Sequence, residues 1–379
     1  MNNINLLRKL NLSSTNKIIL ESVRKYCRID LIKENEKDII DHRKIYKSMG
    51  TNGLLGPTLK TNGCLGLDYK MYGLIAKEIE YIDSSLRSMY SVQSSLVMNP
   101  INKYGNDYLK TKYLDDLASG DKIGCFGLTE PDGGSDATNM KTEAVLERDH
   151  YILNGNKTWI TNSPIADILL VWAKYDKNIH GFILDRNTPG LETPEILGKE
   201  SLKNSKTGMI FLKDVKVPKE NKLDIVGMKG PLSCLNDARL GISFGVLGAA
   251  DFCINTSLEY SLNRKLFGSL LAEKQLFQQK IVNMITEYNL GLLAAIEVAE
   301  MVDNNDSIPE MISMIKRNNC EKALNIARTS RDILGGNGIT REYNVFKHLV
   351  NLETVYTYEG THDIHTLILG KYFTGYSSF

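Results

Sequence analysis

The chain has 379 residues, 42% of them hydrophobic and 24% charged, with a formal net charge of +1. A chain of this size buries a large core and divides into two or three domains. Near-neutral charge leaves no field for nucleic acid or anionic lipid, and no apolar run approaches the ~18 residues of a membrane helix, so nucleic acid and membrane are excluded as expected partners in favour of small molecules or other proteins.

The first 20 residues lack acids and hold Arg8, Lys9 and Lys17, a faint transit-peptide character, but a first amphipathic helix is the expectation. From about residue 13 to 120 the signals are helical. Ile75, Ile79, Ile82 and Leu86 form one buried stripe on one helix, and 107–117 forms another that ends before Gly120. The helix with the stripe also carries Glu80 and Arg87. Seven residues are almost two turns, so the two side chains share nearly the same face, as a solvated polar face or as an anion site.

Near Ile123 the pattern turns to short β-rich runs, at 142–146, 151–153, 157–161, 167–173, 182–184 and 209–212, with Asn154-Gly155 as a hairpin signal. An antiparallel β-domain, a small barrel or sandwich, is expected to about Pro218. Helices then return. One spans 235–263 with Gly241, Gly245 and Gly248 as a seam for close approach of a helix or ligand. Phe277, Ile281, Ile285, Tyr288 and Leu292 stripe a second. A Ser307/Glu310 capping box opens a third that runs to about Asp332. These pack as a bundle. The fold class is α+β and multidomain: an N-terminal helical domain (1–122), a middle β-domain (123–221) and a C-terminal four-helix bundle (222–379).

Several stretches have the means for chemistry. The run Thr129-Glu130-Pro131-Asp132-Gly133-Gly134-Ser135-Asp136 offers backbone N–H groups and hydroxyls for a phosphate or ring edge, or is a plain turn. Trp159 and Thr161 share one side of a strand, either as core or as a platform for a planar group. Leu334-Gly335-Gly336-Asn337-Gly338 reads as a helix C-cap. His362 and His365 lack a third ligand of suitable spacing, so no metal is expected. The six cysteines, Cys27, Cys64, Cys125, Cys234, Cys253 and Cys320, show no CxxC or zinc spacing and read as reduced thiols of an intracellular protein, cytoplasmic or in the mitochondrial matrix if the source is eukaryotic. Without a βαβ unit carrying GxGxxG, a NAD enzyme is disfavoured.

The motifs LTEPDGGSD, KTWITN, NRKLFG, LGGNG and YEGTHDI, in this order, resemble the acyl-CoA dehydrogenase flavoproteins. SLRSMYSVQSSLVMNP, LNDARLGISFGVLGA, KRNNCEKALNIAR and NLETVYTYEGTHDIHTLILG are similar to its glutaryl-CoA dehydrogenase branch, and the likeness covers about residues 19–379.

The resemblance implies an FAD between the β-domain and the bundle. Phe126, Gly127, Leu128, Thr129, Gly134 and Ser135 would line its isoalloxazine and pyrophosphate, and Trp159, Ile160 and Thr161 would cover the ring. Arg264, Gln275, Asp332, Gly335 and Gly336 would hold its adenosine end across a subunit interface, with Thr361, His362 and Asp363 completing the site. It implies a homo-oligomer, at least a dimer and in the family usually a tetramer, with an electron-transferring flavoprotein as acceptor. The acyl-CoA thioester would run past Ser88, Ser135, Leu232, Asn236, Arg239, Gly360 and Phe379, with Arg87 on the distal carboxylate of glutaryl-CoA and Glu80 tuning it. Glu359 would be the catalytic base, since Ala238 stands at the family's alternative base position. The implied activity is dehydrogenation of glutaryl-CoA with decarboxylation to crotonyl-CoA. The alternatives are a short monocarboxylic substrate, a non-decarboxylating glutaryl-CoA dehydrogenase, or a non-catalytic flavin or acyl-CoA binding protein.

Overall fold

The structure, a computed structural model, describes residues 12–61 and 63–378. Its first region is helical: α1 (Ser14–Tyr26), α2 (Ile32–Asn35), α3 (His42–Thr51), α4 (Tyr69–Glu80), α5 (Ser84–Ser91), α6 (Asn99–Tyr104) and α7 (Asp107–Ala118). The expected α7 is there. The expected single helix through Glu80 and Arg87 is not, because it breaks between α4 and α5. The reason is Asp83, which adopts an extended conformation and accepts Ser85 N–H at 2.8 Å as the cap of α5. Asp83 also accepts Asn35 Nδ2 at 3.2 Å and Asn351 Nδ2 at 2.9 Å, so one buried carboxylate joins the helical region to the distant C-terminal one.

The middle region holds β1 (Gly124–Gly127), β2 (Glu143–Glu147), β3 (His150–Thr161), β4 (Ile168–Tyr175), β5 (Asn178–Asp185), β6 (Leu191–Glu192) and β7 (Thr207–Pro218). The sheet runs β1-β4-β2-β3-β7-β6, with β5 on β4. Two corrections arise here. The sheet is mixed, since β1 runs parallel to β4, and one parallel pairing, Glu143 with Lys174, joins β2 to β4. Asn154-Gly155 is also no hairpin. β3 runs straight through it with a register shift, because Gly155 at φ +144° absorbs a bulge where a Cβ would strike Thr142; β2 instead turns into β3 around Arg148, at φ +54°.

β4 explains why its sequence reads as one unbroken apolar run. Leu169, Val171 and Ala173 enter the core of the β-region, while Ile168, Leu170 and Trp172 enter the core of the helical region, so both faces are covered.

The last region comprises α8 (Lys229–Asn263), a small hairpin of β8 (Lys265–Leu266) and β9 (Ser269–Leu270), α9 (Gln275–Asp303), α10 (Pro309–Ile333), α11 (Val345–Thr357) and α12 (His362–Thr374). α8 begins six residues before the sequence-based start. α10 is not opened by a capping box: Ile308 is its cap, with no side-chain bond, and Pro309 enters the first turn, where its missing N–H is not needed. By length and composition α8 and α9 could cross a bilayer, contrary to the sequence reading, yet 78% of the most apolar window of α8 is buried inside the protein, as in a core helix.

The glycine seam of α8 packs on α4. A Cβ at Gly248 would lie 2.0 Å from Lys77 O, one at Gly241 2.5 Å from the Tyr72 hydroxyl, and one at Gly245 2.2 Å from Glu80 Oε2. The seam therefore lets α4 come close enough to bring Glu80 to the centre of the molecule.

Candidate active site

α11 stops at Tyr358, which is extended, and the chain then turns through Glu359 at φ +52° and Gly360 at φ +99° before Thr361 caps α12 by accepting Ile364 N–H at 3.1 Å. A left-handed conformation at a non-glycine residue costs roughly 1–3 kcal/mol and persists only where the surroundings impose it. Here the surroundings do. Lys316 Nζ donates to the carbonyls of Tyr356, Tyr358 and Gly360 at 3.4, 3.1 and 2.8 Å, and Arg239 Nε donates to the Glu359 carbonyl at 2.7 Å. At Gly360 a Cβ would lie 2.7 Å from His365 Nε2, so glycine is required twice over, for space and for φ.

The Glu359 carboxylate has one oxygen, Oε2, that is buried without a hydrogen bond. Burial raises its pKa above the ordinary carboxylate value, and the nearby cations Arg87, Arg239 and Lys316 only partly offset the rise. A carboxylate held ready to take a proton, with a free oxygen, is what a general base requires.

Arg87 and Glu80 are both fully buried and paired, Nε to Oε2 at 2.5 Å. Arg87 Nη2 also donates to the Tyr358 hydroxyl, which ties the pair to the residue beside Glu359. What remains is complementary: Arg87 Nη1 and Glu80 Oε1 are buried without partners. A buried, unmet guanidinium N–H suits an anionic group that arrives with the substrate. Of the polar-face and anion-site readings, the structure excludes the solvated face.

Ser88 is buried one residue on, and Ala238 is buried on α8. Asn236 accepts Arg239 Nη1 at 3.3 Å, while Leu232, a turn earlier, is 41% exposed. Glu359, Gly360, Arg87, Glu80, Asn236 and Arg239 are thus brought together. Ser135 lies exposed on the loop after β1, and Phe379 lies outside the described residues.

The second cluster lies on the β-region. Phe126, Gly127 and Leu128 are buried, Phe126 edge-on to Trp172, and Thr129 is half-buried where the strand gives way to the loop. The loop beyond is pinned from below: Thr158 N–H donates to Thr129 O at 2.9 Å, and buried Lys157 donates to Glu130 Oε1 at 2.8 Å and to Leu128 O at 3.0 Å. Burial pushes Lys157 down to about 8 against the pull of Glu130.

A second bulge, between Lys157 and Ile160, places Trp159 at φ +59° with its indole 62% exposed, while Ile160 is buried and Thr161 is half-buried. An exposed indole on this strand fits a flat aromatic group such as a flavin, and a Cβ at Gly134 on the loop after β1 would meet nothing within 4 Å. The core alternative for Trp159 is excluded by its exposure; Trp172 is the core tryptophan.

The third cluster is at one end of the bundle. Arg264 ends α8, Gln275 opens α9, and Asp332, Gly335 and Gly336 lie at the end of α10, all exposed; Gly335 and Gly336 enter a short 3₁₀ turn rather than a simple cap. Asp332 pairs with Lys280. Among the described residues none of these five bonds to the Trp159 strand. His362 stacks on Tyr356 with centroids 4.7 Å apart, Asp363 is exposed in the first turn of α12, and His365 is buried against Gly360.

Models of the N-terminal, middle and C-terminal domains of acyl-CoA dehydrogenases match residues 13–121, 125–215 and 226–373. The chain belongs to the acyl-CoA dehydrogenase family. Its relatives include an acyl-CoA dehydrogenase of Bacillus subtilis (strain 168), 33% identical with 88% of this chain and 90% of that one covered, and the human mitochondrial short-chain specific acyl-CoA dehydrogenase, 31% identical over 96% and 90%. Among solved structures, a glutaryl-CoA dehydrogenase from Mycobacterium smegmatis superposes with a TM-score of 0.95 at 42% identity over 97% of each chain, and a second one was determined in complex with FADH2, at a TM-score of 0.94 and 42% identity over 97% and 96%. The order of helical, β and helical regions is that of the acyl-CoA dehydrogenase fold.

The site contains partners that sequence reasoning missed. Lys316 is one; it interrupts the buried run Ile312, Ile315, Cys320 on α10, and a lone lysine in an apolar stripe is the signal for it. Lys157 is another, with no signal but its partner Glu130 inside the loop motif.

Proposed function

We propose that the chain oxidises glutaryl-CoA at its α and β carbons and decarboxylates the product to crotonyl-CoA, with FAD as cofactor and Glu359 as base. The observation behind this is a pair of buried, unmet groups close enough to act on each other: the free Glu359 oxygen for the α-proton and the free Arg87 N–H for a distal carboxylate. The likeness to glutaryl-CoA dehydrogenases, one of them solved as a glutaryl-CoA complex at 30% identity and a TM-score of 0.92, supports the same substrate.

FAD, held by the loop after β1 and by the strand at Trp159, Ile160 and Thr161, would supply the hydride acceptor for the β-hydrogen. Glu359 takes the α-proton, and Arg87 orients the chain so that both hydrogens stand in line. The new double bond makes the γ-carbon, which bears the distal carboxylate, vinylogous to the thioester. When that carboxylate leaves as CO2, its electron pair moves into a dienolate, and protonated Glu359 returns a proton to the γ-carbon. Arg87 would oppose that loss if its whole charge fell on the carboxylate. Glu80 already takes the Nε side of the guanidinium and so weakens the hold. On this reading Glu80→Gln slows CO2 release more than flavin reduction; equal rates for both steps, unchanged from wild type, would count against it.

The competing reading is a short monocarboxylic acyl-CoA, favoured by the internal neutralisation of Arg87 by Glu80 and by the short-chain relatives. Comparing glutaryl-CoA with butyryl-CoA on wild type and Arg87→Met separates the two. Our reading expects Arg87→Met to weaken kcat/KM for glutaryl-CoA roughly 10- to 100-fold, the value of a charged hydrogen bond, and to leave butyryl-CoA nearly unaffected. An equal effect on both would favour the monocarboxylic substrate.

An exposed aromatic hairpin tip, Phe267, and Leu276, Val282 and Leu290 on α9 support a homo-oligomer, a tetramer by family habit, in which Arg264 and Gln275 reach a partner's cofactor. Reduced flavin would pass its electrons to an electron-transferring flavoprotein. Six unpaired cysteines support a reducing compartment, the cytoplasm or the mitochondrial matrix.

A further inference from the structure

We propose that Lys316 is the positioning residue of the base: its ammonium, seated under the turn, clamps the carbonyls on both sides of Glu359 and so holds the carboxylate in its left-handed, substrate-facing conformation. The inference rests on the reading of Glu359 as the base.

Three buried lysines among the described residues allow a comparison. Lys77 pairs with Asp251 at 2.5 Å and Lys157 with Glu130 at 2.8 Å, so each has a carboxylate against it. Lys316 is 1% exposed, and among the described residues no carboxylate forms an ion pair with it. Its three donors go instead to three carbonyls, Tyr356, Tyr358 and Gly360. An ammonium has three N–H groups and no acceptor, so this geometry uses it completely. The carbonyls at the end of α11 have no helical partner, and a cation there also meets the negative end of the helix dipole. The Gly360 carbonyl lies beyond the base, so the clamp spans Glu359 and restricts its φ from both ends.

The charge has a second consequence. Around Glu359 stand Arg87 from α5, Arg239 from α8, Lys316 and Cys320 from α10, Tyr358 on its own turn, His365 from α12, Tyr72 from α4, held protonated by burial, and, through Arg87, Glu80 from α4. Glu80 neutralises Arg87, Cys320 and Tyr358 are held protonated by burial, and His365 is pushed down to about 3, chiefly by burial, so it stays neutral. Burial lowers the pKa of Lys316 as well, while Glu359 pulls it back up. Lys316 and Arg239 are thus the cations without a carboxylate of their own that act on Glu359.

The test uses the flavin-loaded protein and a CoA thioester with sulfur in place of its β-carbon. Such a thioester can lose its α-proton but has no β-hydrogen to give, so exchange of that proton in deuterated water reads the base alone. Losing a cation raises the carboxyl pKa, and a shift of one unit corresponds to tenfold at a given pH on the acid limb. We expect Lys316→Met to move that limb upward by about one pH unit and to slow exchange further by displacing the turn. Lys316→Gln, which keeps two N–H donors and loses the charge, is expected to show the shift with less loss of plateau rate. Lys316→Arg is expected to keep the limb where wild type has it. Flavin absorbance reports folding in each variant, and Lys316→Gln carries the test where methionine unfolds the turn. Folded, flavin-loaded Lys316→Gln with the wild-type limb and plateau would overturn the proposal. Glu359→Gln is the separate control: exchange that persisted in it would remove the base assignment itself, whatever Lys316 does.

Discussion

The two halves of the candidate site are built in opposite ways. Around Glu359 the protein is finished: Lys316, Arg239, Arg87 and Glu80 come from four helices of one chain, all buried, and the strained turn is held at every carbonyl. Around Trp159 it is open: the indole is 62% exposed, and Arg264, Gln275 and Asp332 stand exposed at a bundle end with no bond to that strand. A group that is to abstract a proton has to be fixed in a dry field before substrate arrives, and the half around Glu359 has that form. A bound cofactor brings its own surface, which suits an open half.

The contrast predicts different kinds of failure. The largest is expected from Glu359→Gln. It should lower turnover by ~10²–10⁴, the usual worth of a general base, while flavin content and melting temperature stay near wild type. A flavin-free product would show that the two halves are not separable.

Next is Trp159→Ala. Because the side chain is exposed, the flavin-free protein should melt within a degree or two of wild type, while flavin binding weakens by roughly 1–2 kcal/mol for a lost aromatic contact. A large drop in the stability of the flavin-free form would make Trp159 a structural residue.

The smallest effect is in pH dependence. His348 is fully buried on α11 with both ring nitrogens unpaired, and burial holds its pKa well below 6.5. The unfolded chain then binds a proton that the native one refuses, so this group costs stability as pH falls below about 6.5, by up to ~1.4 kcal/mol per pH unit. His348→Phe should flatten the loss of stability between neutral pH and about pH 5. An unchanged slope would place the acid sensitivity elsewhere.

The order of regions and most elements were legible in the sequence, because they depend on apolar periodicity and on motifs contiguous in the chain. Errors fell where one local feature overrode the period. Asp83 broke a helix whose stripe continued through it, and Gly155 bulged a strand that its turn residues had divided. The seam Gly241, Gly245, Gly248 was visible, but its partner was not, since α4 lies more than 150 residues earlier. The same holds for Lys316. A lysine among buried apolar positions can be noticed, but the three carbonyls it serves are 40, 42 and 44 residues away.

The most direct test of a single substrate spanning Glu359 and Arg87 is anaerobic mixing of the flavin-loaded protein with glutaryl-CoA, following flavin bleaching and CO2 release together. The account predicts rapid bleaching followed by one CO2 per flavin reduced. No bleaching with glutaryl-CoA, alongside full bleaching with butyryl-CoA, would contradict it.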